Sequence, residues 1–329
     1  MKRSWLILTA ASLLISLTIP ILYGGLDSLH AVRTVSWGAG LLLLLMVLGG
    51  WLCNTARIHL LVRALGGSLR LRTVLMIVLA SEFAGVATPA GAGNPATYVV
   101  LLSRHGMSVS SSAAIIAIDR LTDLVFFGTA IPIAILLFAL DSGISHPLRI
   151  AALVVVLFLL GLFALVLFLR HYRCLAALLG AILLRTDRLR RFRLRGMRGV
   201  LRFRSSIQIL LEMGLGRLVL MYLYCLAHWL LRYSILPVVI WIFGQSIPWG
   251  YLFVMQGVLL FLGQVTFVPG GGGSVEVGFS ALLAPYLSAT PTAAALLVWR
   301  FTTFYWYLIA GAPVFLLASA QASKASTQA

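Results

Sequence analysis

The sequence predicts an all-α integral membrane protein, a polytopic helical bundle that forms a single domain over residues 1–329. Hydrophobic residues make up 61% of the chain, charged residues make up only 10%, and the mean hydropathy is +1.04. A soluble domain would carry about 25% charged residues. The apolar residues also fall into runs of about 20, which is the length that crosses a bilayer as an α-helix.

Six apolar runs predict membrane spans, at about 4–24, 35–54, 112–140, 149–169, 215–243 and 291–319. The first run follows Lys2 and Arg3 and lacks a small-residue cleavage site nearby, which favours a retained span over a signal peptide. Residues 57–70 mix arginines with leucines and predict an amphipathic helix at the membrane interface.

Two further apolar regions, 73–102 and 250–287, are each interrupted by proline and glycine. The breaks are TPAGAGNP at 88–95 and VPGGGGSVE at 268–276. Neither segment can continue an α-helix, because proline lacks the donor N–H and glycine costs roughly 1 kcal/mol per residue in a helix. Irregular backbone survives in hydrocarbon only where protein or a wet cavity satisfies its polar groups. Two such breaks at membrane depth therefore indicate a binding or translocation site.

The formal charge of +17 reflects arginines that concentrate in one loop, 170–206. Positive charge collects in cytoplasmic loops, so this loop and the N-terminus are predicted to face the cytoplasm across a bacterial inner membrane. No nucleic-acid partner is expected. With these sides fixed, 73–102 starts and ends in the cytoplasm and forms a re-entrant hairpin, and 250–287 enters from the opposite face. Opposed hairpins would suit an inverted repeat, although glycine-rich turns also resemble one another by chance.

Ionisable residues inside the apolar regions cost about 2.5–3.5 kcal/mol each and normally face a cavity or a partner. Asp119 and Asp123 share a helix face with Arg120 beside them, either as a self-neutralising structural cluster or as part of a cavity. Glu276 either stabilises a helix N-terminus or orients a cation, and Arg300 is its expected partner or a direct phosphate contact. Glu82 and Arg232 complete this set, and Arg232 either lines the same cavity or packs elsewhere.

The sequence offers no recognisable constellation for hydrolysis, metal binding or nucleotide binding. Ser274 fails the G-x-S-x-G pattern because Glu276 holds its last position. There is no H-E-x-x-H element and no Walker lysine, and the three cysteines show no ligand spacing. We therefore expect no cofactor and no enzymatic activity.

Three sequence elements resemble one known family. They are PGGGGSVE at 269–276, DRLTD at 119–123 and the first break. Together they resemble the flippase-like membrane domain of lysylphosphatidylglycerol synthases, in a stand-alone form without the aminoacyl-transfer domain. The resemblance covers nearly the whole chain. It implies movement of a lipid or lipid-linked anionic molecule between leaflets, with a phospholipid or polyprenyl-linked lipid and the bilayer as partners.

The resemblance also has a departure, because family members usually carry an acidic residue where this chain has Asn94. Head-group recognition at that hairpin would differ, or activity would be reduced. The expected cleft uses Glu276, Arg300, Arg120 and Asp123 as charges. Backbone N–H donors would come from Gly270, Gly271, Gly272 and Gly273, in the turn that Pro269 begins. The alternative functions are a membrane enzyme that transfers a group to or from a lipid and a non-catalytic partner of a lipid-modifying enzyme. A second copy of the chain, or a lipid-modifying enzyme, is the protein partner considered.

Overall fold

The computed structural model describes residues 3–141 and 212–327, together with 156, 159–160 and 208. These residues form α-helices joined by short turns, and no strand occurs among them. The all-α membrane class is therefore confirmed. The predicted span 149–169 and the predicted basic loop 170–206 lie almost wholly outside the described residues.

The described helices are α1 (Arg3–Gly24), α2 (Asp27–Arg33), α3 (Trp37–Ala64), α4 (Leu71–Val86), α5 (Gly93–Arg104), α6 (Val109–Asp141), α7 (Leu215–Ile242), α8 (Trp249–Val265), α9 (Ser274–Leu283), α10 (Ala289–Arg300) and α11 (Trp306–Thr327). A π-helical turn, Phe301–Tyr305, joins the last two. Within the described ranges, α3, α6, α7 and the continuous stretch Ala289–Ala320 are long and apolar enough to cross a membrane. The bent pair α1 and α2, with an angle of 104°, adds a fifth candidate.

The predicted spans 35–54, 112–140, 215–243 and 291–319 coincide with these long helices. The predicted interfacial helix at 57–70 is wrong, because α3 continues without interruption to Ala64. Arg57 lies on this continuation and is only 2% exposed. An arginine at this depth requires carboxylate partners, and the site described below supplies them.

The fold contains two units with the same plan, unit one being α3–α6 and unit two being α7–α11. Each has a long helix, a hairpin of two shorter helices and a second long helix. The first helices have 28 residues each. The hairpin helices have 16 and 12 residues in unit one and 17 and 10 in unit two. Equivalent residues at the hairpin tips and in the last helices lie 180 positions apart (89 and 269, 120 and 300).

The two units run antiparallel, which makes the fold an inverted repeat. Near the middle of the α3–α7 contact, the His228 ring Nδ1 donates to the carbonyl of Gly50 at 2.8 Å. Towards the end of α3, Ile58 shares a core cluster with Met221, which lies near the start of α7. The contacts between units are reciprocal, since α4 packs on α11 while α8 packs on α6. Each hairpin therefore rests against the last long helix of the other unit.

Both predicted breaks form the tips of helical hairpins, and the two tips touch one another. Each tip is a short 3-10 turn, Pro89–Gly91 in unit one and Pro269–Gly271 in unit two. The residue after each proline is left-handed, with φ 51° at Ala90 and φ 60° at Gly270. Across the contact, Gly91 faces the side-chain amide of Gln264. The entry of each hairpin from one membrane face stays a prediction.

We expect the close packing of α4 on α11 to be sensitive to a single methyl group. A Cβ added at Gly311 would lie 2.6 Å from Cβ of Phe83, so Gly311→Ala should lower the free energy of unfolding by about 1–3 kcal/mol. Gly257→Ala is the matched control, because a Cβ there meets nothing within 4 Å. Thermal unfolding in detergent measures both. Equal midpoints for the two variants would contradict the packing described for α4 and α11.

Candidate functional site

A cavity of about 480 Å³ lies between the two units where the hairpin tips meet. Helices of both units and both tips contribute to its wall. Unusually for a membrane protein interior, much of the lining carries charged, amide or imidazole groups. The residues of this kind are Asn54, Arg57, Glu82, Asn94, Asp119, Arg120, Asp123, His228, Arg232, Gln256, Gln264 and Arg300.

The most deeply buried charges in the wall are two carboxylates that share one arginine. Arg57 of α3 places Nη2 at 2.6 Å from Oδ1 of Asp119 and donates from Nη1 to Oδ1 of Asp123 at 2.7 Å. Asp123 Oδ1 also accepts from the indole N–H of Trp229 at 2.8 Å. The helical spacing of Asp119 and Asp123 presents both carboxylates to α3. This arrangement gives each carboxylate a positive partner but leaves three buried charges that sum to −1.

Arg120 supplies the fourth charge from a more accessible position. Its Nη1 donates to Oδ2 of Asp123 at 3.1 Å, and its Nη2 donates to Oδ1 of Asn94 at 2.6 Å. The amide of Asn94 donates in turn to Oε1 of Glu82 at 3.3 Å. Hairpin one is thereby connected to α6. The Arg120 side chain is 47% exposed, the largest value of any ion-paired arginine in the described chain.

Arg232 of α7 faces Glu82 across the cavity. Its Nη1 lies 3.7 Å from Oε2 of Glu82 and donates to the hydroxyl of Tyr307 at 3.0 Å. The guanidinium also stacks 5.0 Å from the centre of the Tyr307 ring. The ion pair is long, and contacts with aromatic rings are weaker than a bidentate hydrogen bond to a carboxylate. Arg232 therefore retains N–H donors that face the cavity. Arg232 lies four residues after His228 on the same helix, and both residues line the cavity. Of the two interpretations of Arg232 that the sequence allowed, the cavity-lining one therefore applies.

Arg300 and Glu276 form a tight buried pair at hairpin two, which confirms the partnership expected from the sequence. Nε of Arg300 lies 2.6 Å from Oε1 of Glu276, and its Nη1 donates to the carbonyl of Gly270 at 3.0 Å. The other carboxylate oxygen accepts the backbone N–H of Gly273 at 2.6 Å. A hydroxyl from α1, that of Ser16, donates to the same carboxylate. Glu276 is fully buried and stands behind the cavity wall rather than in it.

The glycines of hairpin two allow close packing rather than offering free backbone N–H donors. The N–H groups of Gly271 and Gly272 bond to carbonyls inside the tip, and that of Gly273 is taken by Glu276. The expectation that these three residues offer free donors to a head group is therefore wrong. A Cβ at Gly270 would collide with the ring of Phe304, and a Cβ at Gly272 would collide with Ser12 of α1. Only glycine permits these approaches.

The structure thus gathers most of the predicted site residues into one wall. The cavity is lined by Glu82, Asn94, Asp119, Arg120, Asp123, Arg232, Gly270, Gly271 and Arg300. Pro269, Gly272, Gly273 and Glu276 support the tip from behind. Sequence reasoning missed Arg57, the central residue of the acidic cluster, because neighbouring arginines suggested an interface. Its three-residue spacing from Asn54, which accepts a bond from it at 3.2 Å, was the available signal.

The family of the chain follows from comparison with known proteins. The family model described as lysylphosphatidylglycerol synthase TM region matches residues 8–311, a range that includes both hairpins and both charged clusters. The chain belongs to this family. The chain is also similar to a UPF0104 membrane protein from Archaeoglobus fulgidus. The two are 26% identical over 287 residues, which is 85% of this chain and 87% of the relative.

As a member of the lysylphosphatidylglycerol synthase TM region family, the protein is an integral membrane protein, and its family is linked to lipid handling. The matched residues start within α1 and end within α11, so the range covers most of the inverted repeat and of the N-terminal helix that packs on hairpin two. The charged cavity is therefore built entirely from residues that the family model matches.

We expect Arg57 to be the charge whose loss costs most. Arg57→Leu leaves Asp119 and Asp123 buried with too few positive partners and should destabilise the protein by about 3–5 kcal/mol. Arg63→Leu, on the exposed side of the same helix, is the control and should change stability little. Thermal unfolding and monodispersity in detergent report the difference. Adding Asp119→Asn to Arg57→Leu should recover part of the loss, and no recovery would argue against the shared-arginine account.

Proposed function

We propose that the protein moves a lipid or lipid-linked anionic molecule between the two leaflets of its membrane. The observation that carries this proposal is the arginine-lined cavity at the meeting point of two opposed hairpins. Charged groups at such depth are costly and usually mark the path of a polar substrate. Outside the cavity the helices are suited to acyl chains, as the exposed leucines 41, 45, 48 and 52 along one face of α3 indicate.

The head group would bind through guanidinium groups. Arg120 has the most exposed side chain, Arg232 holds its carboxylate at long range, and both line the same space. A guanidinium can donate two parallel hydrogen bonds to a phosphate, which suits recognition of a phosphodiester. The cavity volume of about 480 Å³ lies within the range of small-molecule sites, so it accommodates a head group and not the attached chains.

In this proposal no covalent bond is made or broken, and the protein is a transporter rather than an enzyme. The tips would part and close around the head group while the chains stay in lipid. Because the units are antiparallel, the same motion in either unit would open the cavity towards opposite faces. We place the protein in a cytoplasmic membrane with the basic loop inside, as the arginine distribution predicts.

Removing the accessible arginine should slow transport without unfolding the protein. In vesicles that contain a fluorescent phosphatidylglycerol, Arg120→Ala should reduce leaflet exchange about tenfold or more, since one charge-assisted hydrogen-bond pair contributes about 1.5–3 kcal/mol. Arg217→Ala, at an exposed position near the start of α7, is the matched control and should exchange lipid at the wild-type rate. Exchange that is equal in all three proteins would remove the cavity from the mechanism.

The hairpins predict a specific pattern of surface labelling. In a background with the three cysteines replaced by alanine, single cysteines at positions 67 and 105 flank hairpin one and should react from the cytoplasmic side. Positions 245 and 285 flank hairpin two and should react from the opposite side. A membrane-impermeant thiol reagent applied to intact cells distinguishes the two. Labelling of 67 and 105 from different sides would show that hairpin one crosses the membrane.

The same vesicle preparation separates the alternative functions. Appearance of a chemically altered lipid without leaflet exchange would favour a membrane enzyme. Neither exchange nor chemistry in the purified protein, together with restored activity of a co-purified lipid-modifying enzyme, would favour the role of a non-catalytic partner.

A further inference from the structure

The Asp119–Asp123 pair has one feature that head-group binding alone leaves unused. Both carboxylates are nearly inaccessible, at 1% and 6% exposure, yet both border the cavity. Among the described residues, Arg57 is the only side chain within ion-pair or hydrogen-bond distance of Asp119. The pair is therefore held at neutrality only by adding Arg120, which reaches it through a single bond to Asp123.

The position of Arg120 makes this neutrality conditional. Its side chain is about half exposed, and its second donor is engaged by Asn94, a neutral amide. A phosphate in the cavity would compete for this guanidinium with Asn94 and with Asp123. If Arg120 turns towards the phosphate, Asp123 Oδ2 loses its donor and the trio of Arg57, Asp119 and Asp123 keeps a net charge of −1 in a buried setting. Such a charge is costly unless it is neutralised.

Among the described residues around the pair, the remaining cation that could replace Arg120 is Arg232, which is held by other partners. The titratable and charged groups around the pair are Arg57 of α3, Glu82 of α4, Tyr98 of α5, Arg120 of α6, and Cys225 and His228 of α7. Glu82 carries the wrong sign, and the imidazole N–H of His228 is already committed to the carbonyl of Gly50. Arg232 is drawn to Glu82 and Tyr307 on the other side of the cavity.

We propose that Asp119 and Asp123 form a proton-binding site, and that one proton enters this site for each phosphate-bearing head group that engages Arg120. The inference rests on the translocation proposed above and adds its coupling ion. The proton moves from cavity water to one carboxylate oxygen. The head group adds one negative charge and the proton adds one positive charge, so the net charge of the cavity is unchanged. Release of the head group returns Arg120 to Asp123 and expels the proton.

This coupling has a measurable sign. Because proton and head group bind together, each strengthens the binding of the other, and a transmembrane proton gradient biases the distribution of the lipid between leaflets. Apparent affinity for the anionic head group should fall by up to about tenfold per pH unit as the pH rises through the titration of the pair. Asp119→Asn mimics the protonated carboxylic acid and should leave binding and exchange nearly independent of pH.

The experiment uses the full chain in phosphatidylcholine vesicles with a trace of fluorescent phosphatidylglycerol. Leaflet exchange is followed by quenching of the outer leaflet at several values between about pH 5 and about pH 8, and a dye trapped in the lumen records proton entry. The variants are Asp119→Asn, Asp123→Asn and the control Asp27→Asn, an exposed acid on α2. Expected results are a wild-type rate that falls with rising pH, the same profile in the control, and a flat profile in Asp119→Asn or Asp123→Asn.

The outcomes separate the two proposals. Exchange by the wild type at one rate across the whole pH range, or the wild-type slope in both cavity variants, overturns proton coupling and leaves translocation standing. No exchange at any pH overturns both. If both variants fail to fold, the wild-type pH profile together with luminal acidification decides alone, since a passive lipid path moves no protons with its cargo.

Discussion

The structure depends on one constraint, that a polar group facing the hydrocarbon of a bilayer has no water to bond with. The two broken hairpins expose irregular backbone, and the acidic residues at membrane depth need counter-charges. Both needs are met at the same place. Glu276 is matched by Arg300, Glu82 by Arg232, and the Asp119–Asp123 pair by Arg57 and Arg120. Apart from Arg120 and Asp123, which share α6, these pairs join separate helices, so meeting the constraint also assembles the cavity.

The inverted repeat explains why the site has two related halves with different character. Arg120 and Arg300 hold equivalent positions 180 residues apart (120 and 300), and each reaches the tip of its own unit's hairpin. In unit two the arginine meets a carboxylate and is buried. In unit one it meets Asp123 of its own helix and the amide of Asn94, and it stays half exposed. The shared backbone plan therefore holds one arginine that is buried in an ion pair with its hairpin and one that remains accessible.

Much of this arrangement could be predicted from the sequence, because helix breaks and isolated charges are local signals. The positions of proline and glycine predict both hairpin tips. An acidic residue inside an apolar region, Glu276, predicts a cationic partner such as Arg300. The sequence around Arg57 predicts a helix at the membrane interface instead, because a sequence window cannot show that α3 continues far enough to meet α6. The contact between Glu82 and Arg232 was equally hidden, because it depends on how two units pack. The glycine run was recognised as a site, but its crowding by Phe304 is visible only in three dimensions.

The N-terminal helix α1 packs on unit two. Ser12 and Ser16, one turn apart on α1, bond to Pro269 and Glu276, and α2 folds back onto α10 of the same unit. Hairpin two is thus anchored by a helix that stands outside the repeat, whereas the tip of hairpin one relies on Thr88 of its own loop and on Arg120. Opening at hairpin two would therefore break bonds to α1, whereas opening at hairpin one would break the bond between Asn94 and Arg120.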